Sequence, residues 1–142
     1  MSLNLFIRAL LLVMSTTSAQ DKPPLNKPLT EPAAVALGKQ TYVEYCVACH
    51  GADGRGMGPA ASALKTPPSD LTTLAKTHGG KFPEDYVAGI VRFGKPIQAH
   101  GSADMPVWGP IFVVRDNGNE VAVRRRIKSL CDYLATLQEK DS

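Results

Sequence analysis

Aromatic side chains are scarce in this chain of 142 residues, which has four Phe, four Tyr and a single Trp. That scarcity leaves few of the large rings that dominate the cores of small domains. Three cysteines are an odd count, so a framework of paired disulfides cannot use them all. The net charge of +3 is too weak to point to nucleic acid or an anionic membrane as partner, and no tract interleaves basic residues with aromatics. Past the first twenty residues no apolar run approaches the ~20 that span a bilayer. There is no internal repeat and no convincing alternating strand pattern, which leaves helix as the regular structure.

The opening MSLNLFIRALLLVMSTTSAQ carries one Arg, a short apolar stretch from Ala9 to Met14, and then small residues. This is the layout of a secretory signal peptide, with Thr17 and Ala19 at the positions a signal peptidase reads. Asn4 and Arg8 interrupt the apolar residues, against a retained span. No cysteine near the junction offers a lipid anchor. The expected organisation is a signal peptide over 1–19, a flexible Pro-rich leader over 20–32 and one domain over 33–142, exported to a bacterial periplasm, with no stable membrane insertion once the signal is removed.

Three helices are predicted within that domain. Thr30 is a usable N-cap, with Glu31 and Pro32 suited to a first turn. Ala34, Gly38, Tyr42 and Tyr45 then recur at helical spacing up to CVACH. EDYVAGIVRF, residues 84–93, is a second helix, stopped by Gly94 and Pro96. Behind Asn119 as N-cap, Val123, Ile127, Leu130, Leu134 and Leu137 trace the apolar face of the last helix. A short helix from Ser69 or Asp70 is also possible, and GKPIQAHGSADMPVWGPIF is read as loop. An all-α domain with so few large apolar residues needs an apolar object inside it.

CVACH, residues 46–50, places two thiols and an imidazole at i, i+3 and i+4. A thioredoxin-like dithiol needs a βαβ setting that this chain lacks. A closed zinc site needs a fourth ligand, usually from a second Cys or His pair, and the sequence has no such pair. C-x-x-C-H suits covalent haem attachment: Cys46 and Cys49 add to the two vinyl groups on one edge of the porphyrin, and His50 reaches the iron. One covalently bound haem c would also be the missing core object.

From Gly38 onward the chain resembles class I monohaem c-type cytochromes: an N-terminal helix ending in CVACHG, a glycine-rich loop ending in Gly58-Pro59, an ADMPVWG loop and a C-terminal helix. The resemblance implies the small cytochrome c fold, with its terminal helices crossing and long loops wrapped around the haem. It implies Met105 as distal iron ligand opposite His50, with Met57 and His100 as rivals. It implies that the Pro59 carbonyl accepts a hydrogen bond from the His50 imidazole, and that Gly38 meets Tyr133 at the helix crossing. Trp108 then packs on the haem edge or braces the loop. His78 reads as a surface residue and Cys131 as a small buried apolar one.

The function expected from that resemblance is one-electron transfer by a carrier, not an enzyme, with both axial positions filled by protein. Its partners would be redox proteins: a donor dehydrogenase or cytochrome complex, and an acceptor oxidase or other cytochrome. The alternatives are an electron-transfer subunit of an exported dehydrogenase, or a haem peroxidase or gas-binding protein with a labile distal ligand.

Overall fold

A glycine in the first long helix and a serine in the last decide how the two ends of the domain meet. Helix α1 (Glu31–Tyr45) buries Ala34, Gly38, Thr41 and Tyr42, while α6 (Glu120–Thr136) buries Val123, Ile127, Ser129, Leu130, Cys131, Tyr133 and Leu134. A Cβ on Gly38 would lie 1.8 Å from the Ser129 carbonyl oxygen. Only glycine lets the backbones approach this closely. The Tyr42 and Tyr133 rings meet beside the crossing with centroids 5.4 Å apart.

These features come from a computed structural model that describes residue 25, residues 27–94 and residues 105–140. The expected signal peptide over 1–19, residues 20–24 and 26 of the leader over 20–32, and His100 lie outside the described residues. The described chain is helical and holds no strand: between α1 and α6 come α2 (Val47–His50), α3 (Leu74–Thr77), α4 (Glu84–Phe93) and α5 (Trp108–Arg115). Single turns of tighter helix occupy Ala61–Ala63 and Leu71–Thr73. The described residues therefore form the all-α architecture that the sequence predicts, with helices from the two ends of the domain crossing. No helix among the described residues is long and apolar enough to cross a membrane.

The end of α4 and the start of α6 follow the sequence signals. Asn119 caps α6, its Oδ1 accepting from the amides of Val121 and Ala122. Gly94 ends α4 with φ +80°. Thr30, by contrast, sits at the start of α1 without a side-chain cap bond. The expected loop over WGPIF is corrected by α5. Pro110 is its third residue, where the missing N–H had no intrahelical partner to lose. Gly109 is required there because a Cβ would fall 2.1 Å from the Arg92 carbonyl oxygen of α4.

The core joins Tyr42, Val87, Val91, Phe112, Val123, Ile127, Leu130, Cys131, Tyr133 and Leu134. Cys131 is a buried structural residue, as expected, and burial pushes its thiol up to about 12. The end of α6 is fastened to the 71–75 segment through Gln138, whose side chain accepts from Ala75 N and donates to the Leu71 carbonyl, each at 2.8 Å. On the far side of α6, Arg125 donates to the carbonyls of Leu25 and Lys27.

Candidate haem-attachment site

Cys46 closes α1 and opens α2. Its amide donates to the Tyr42 carbonyl at 2.8 Å, and its own carbonyl accepts from Cys49 N at 3.2 Å and His50 N at 2.9 Å. The two cysteines and the histidine therefore share one turn, as their spacing requires. The turn ends at Gly51, whose φ of +79° only glycine adopts without strain.

A four-residue helix exposes most of its carbonyls, and these need partners. The glycine-rich loop supplies them by folding back under the turn. Gly51 N donates to Val47 O (2.9 Å), Ala60 N to Ala48 O (2.8 Å), Gly58 N to Cys49 O (3.0 Å) and Gly56 N to His50 O (2.8 Å). Two glycines make this approach possible: a Cβ on Gly58 would lie 2.4 Å from the Ala48 carbonyl oxygen, and one on Gly56 would lie 2.4 Å from that of Pro68. The Tyr42 hydroxyl, fully buried, donates to the Gly51 carbonyl at 2.7 Å. Its burial there, with Cys46 a smaller cause, raises the phenol well above its ordinary range.

The His50 ring is 9% exposed, and its Nδ1 lies 3.1 Å from the Ser69 carbonyl oxygen. A carbonyl can only accept, so this contact puts the ring proton on Nδ1 and the lone pair of the neutral imidazole on Nε2. Pro59 was expected to provide that carbonyl, whereas the bond found here is to Ser69. The amides of Gly58 and Ala60 draw the Gly-Pro corner onto the α2 carbonyls and leave Pro59 exposed, while the later Pro67-Pro68-Ser69 segment comes up against the imidazole. No side-chain pattern marks Ser69 for this role, since the atom used belongs to the main chain.

Cys46 and Cys49 are both partly buried free thiols. Desolvation, with Cys49 adding to it, pushes the Cys46 thiol up to about 12. Among the described residues no three His, Cys, Asp or Glu side chains converge as a closed metal site requires.

Beside the turn, Tyr45 packs edge-on against Trp108 (5.2 Å) and Phe112 (5.1 Å), and those two rings stack at 6.2 Å. Trp108 thus braces the start of α5 against the residue preceding Cys46. Met105, three positions before Trp108, is 36% exposed. Met57 is 83% exposed on the glycine-rich loop. His78 is exposed as expected, its Nδ1 2.8 Å from the Leu74 carbonyl oxygen.

Two thiols and a buried imidazole with its lone pair on Nε2, all on one turn, fit a haem that is bonded at its edge and ligated at its iron. Fold and site together define a small all-α haem-binding domain of the c-type cytochrome class. A family model described as cytochrome c oxidase, cbb3-type, subunit III, matches residues 33–118, more than half of the chain, and the chain belongs to that family. No curated protein and no solved structure matches it. Covalently bound haem c is the cofactor of such a domain, and haem-based electron transfer is its activity.

Proposed function

We propose that this protein is an exported monohaem c-type cytochrome that carries single electrons between redox proteins. Cys46 and Cys49 would hold the haem as thioethers, and His50 and Met105 would ligate its iron. The observation that carries this reading is the His50 ring, buried on the same turn as both thiols and oriented through Nδ1 by the Ser69 carbonyl. The bound haem supplies a one-electron couple at its iron.

The chain's own residues do the rest. The Nδ1–H···O bond increases the electron donation of Nε2, as outer-shell bonds to ligating histidines do. The Tyr45, Trp108 and Phe112 rings form an aromatic cluster that begins at the residue before Cys46. A thioether is a soft, neutral ligand that favours ferrous iron, so a His/Met pair gives a higher potential than two imidazoles. With His50 and Met105 both holding the iron, the protein would act as carrier instead of enzyme. Its partners are a donor dehydrogenase or cytochrome complex and an acceptor oxidase or cytochrome.

A second reading makes the same domain a subunit of a fixed complex. The description of the matching family as an oxidase subunit favours it, and co-purification of the native protein separates the two.

The test is spectroscopic. Haem should remain on the chain in acid and detergent. The ferric protein should show the far-red sulfur-to-iron band, which Met105→Ala abolishes while opening the ferrous iron to carbon monoxide. A wild-type protein that is high-spin and binds carbon monoxide rapidly would overturn the carrier reading.

A further inference from the structure

The carbonyl that meets the His50 imidazole is only as well placed as the peptide that bears it, and the Ser69–Asp70 peptide is held from several sides. Leu71 N donates to the Gly54 carbonyl at 2.7 Å, binding the segment to the loop that leaves His50. Asp70 is extended at φ −70° and ψ 112°, and its Oδ1 accepts from Thr72 N at 2.8 Å and Thr72 Oγ1 at 2.6 Å. Thr72 is itself buried, and its carbonyl accepts from Glu139 N at 2.9 Å. Arg55 closes the cluster, with its guanidinium 3.8 Å from the Asp70 carboxylate and 3.0 Å from that of Glu139. The Thr72 hydroxyl foremost, then its amide and Arg55, hold the Asp70 carboxyl below its ordinary range against the opposing effect of burial.

We propose that Asp70 is a positioning residue for the haem iron's axial imidazole: by clamping the turn that follows Ser69, it sets the strength of the bond from His50 Nδ1 to Ser69 O and thereby the reduction potential. The chain of cause is short. A well-aligned Nδ1–H···O bond gives the ring more imidazolate character, which strengthens Nε2 as a donor and stabilises ferric iron. Loosening the clamp weakens the bond, and the potential rises. The positional effect of Asp70 on the ligand runs through the Ser69–Asp70 peptide.

Removing a carboxylate near a haem also removes a negative charge, which raises the potential by itself, so the test must separate position from charge. It uses the full-length haem-loaded protein in four forms: wild type, Asp70→Asn, Asp70→Ala and Thr72→Val. Each is titrated by spectroelectrochemistry, and hydrogen exchange at the His50 Nδ1–H is followed by NMR in the diamagnetic ferrous state. Asp70→Ala should shift the ferrous-to-ferric equilibrium constant by on the order of tenfold, ~59 mV for one electron, with faster exchange of the ring proton. Asp70→Asn keeps an acceptor for Thr72, so it should retain the slow exchange and show only the smaller shift due to charge. Thr72→Val, which changes no charge, should move both readouts in the direction of Asp70→Ala.

Equal shifts in Asp70→Asn and Asp70→Ala with unchanged ring-proton exchange would overturn the proposal. If Asp70→Ala fails to fold around haem, Thr72→Val decides it: wild-type potential and exchange there overturn it equally. The inference rests on His50 as iron ligand, and the two failures differ in appearance. A wild type without a low-spin histidine-ligated spectrum removes the ligand reading, whereas a normal wild-type spectrum with insensitive variants removes only the role of Asp70.

Discussion

Arg126 and Asp116 form the most enclosed ion pair among the described residues. The Arg126 guanidinium lies over the Phe112 ring at 5.6 Å and pairs with Asp116 through both arms, Nε at 3.0 Å and Nη2 at 2.6 Å. The two side chains are only 12% and 7% exposed. The paired carboxylate, acting first through its hydrogen bonds, raises the guanidinium further above its ordinary range. Removing one member of such a pair strands the other. Asp116→Ala should therefore cost about 3–5 kcal/mol, read as a lowered urea midpoint of the holoprotein, and adding Arg126→Met should recover a large part of that loss. At this scale the sequence was readable where chemistry resides in side chains and opaque where it resides in the backbone. Cys46, Cys49 and His50 declare themselves by type and spacing. Ser69 does not, because every residue has a carbonyl and only the path of the chain decides which one arrives at the imidazole.

Helices set that path, and the tightest constraint on them is the α1–α6 crossing. Gly38→Ala places a methyl group where the Ser129 carbonyl already is. Backbone cannot yield as a flexible side chain does, so the cost should reach or exceed the ~1–3 kcal/mol typical of an overpacked core. A thermal melt of the haem-loaded variant checks it, with loss of stability at an unaltered absorption spectrum as the expected outcome. Helical spacing revealed α1 and α6, and the stop signals Gly94 and Pro96 bounded α4. Helix α5 stayed concealed, since Gly109 and Pro110 together read as breakers. Their effect there is the reverse: the proline occupies a first turn that needs no N–H, and the glycine admits the Arg92 carbonyl. Both facts depend on a neighbouring helix and on helix position, which a single stretch of sequence does not disclose.

For the whole molecule, the short inventory of large apolar side chains matters most. The buried cluster is drawn from α1, α4, α5 and α6, while the haem-bearing turn, the glycine-rich loop and the 67–75 segment contribute mainly main-chain bonds and half-buried side chains. A covalent haem adds apolar surface to the part of the fold with least of its own. Haem-free protein, made as the Cys46→Ser, Cys49→Ser double variant, should melt below the holoprotein. A contribution of even ~2 kcal/mol lowers the midpoint by on the order of 10 °C. Far-ultraviolet circular dichroism checks it, and an unchanged midpoint would show that the helices carry the fold unaided.

The loop that folds back beneath His50 makes its connections almost wholly through amides and carbonyls: Gly56 to His50, Gly58 to Cys49, Ala60 to Ala48, Leu71 to Gly54, and Ser69 to the imidazole. Such a site is specified by length more than by lettering. Exposed positions such as Ala52, Ser62 and Lys65 can be exchanged for other residues without altering a single one of these connections. One residue inserted or deleted between Gly51 and Ser69 would put every later amide out of step with its carbonyl, and a different oxygen, or none, would meet the ligand.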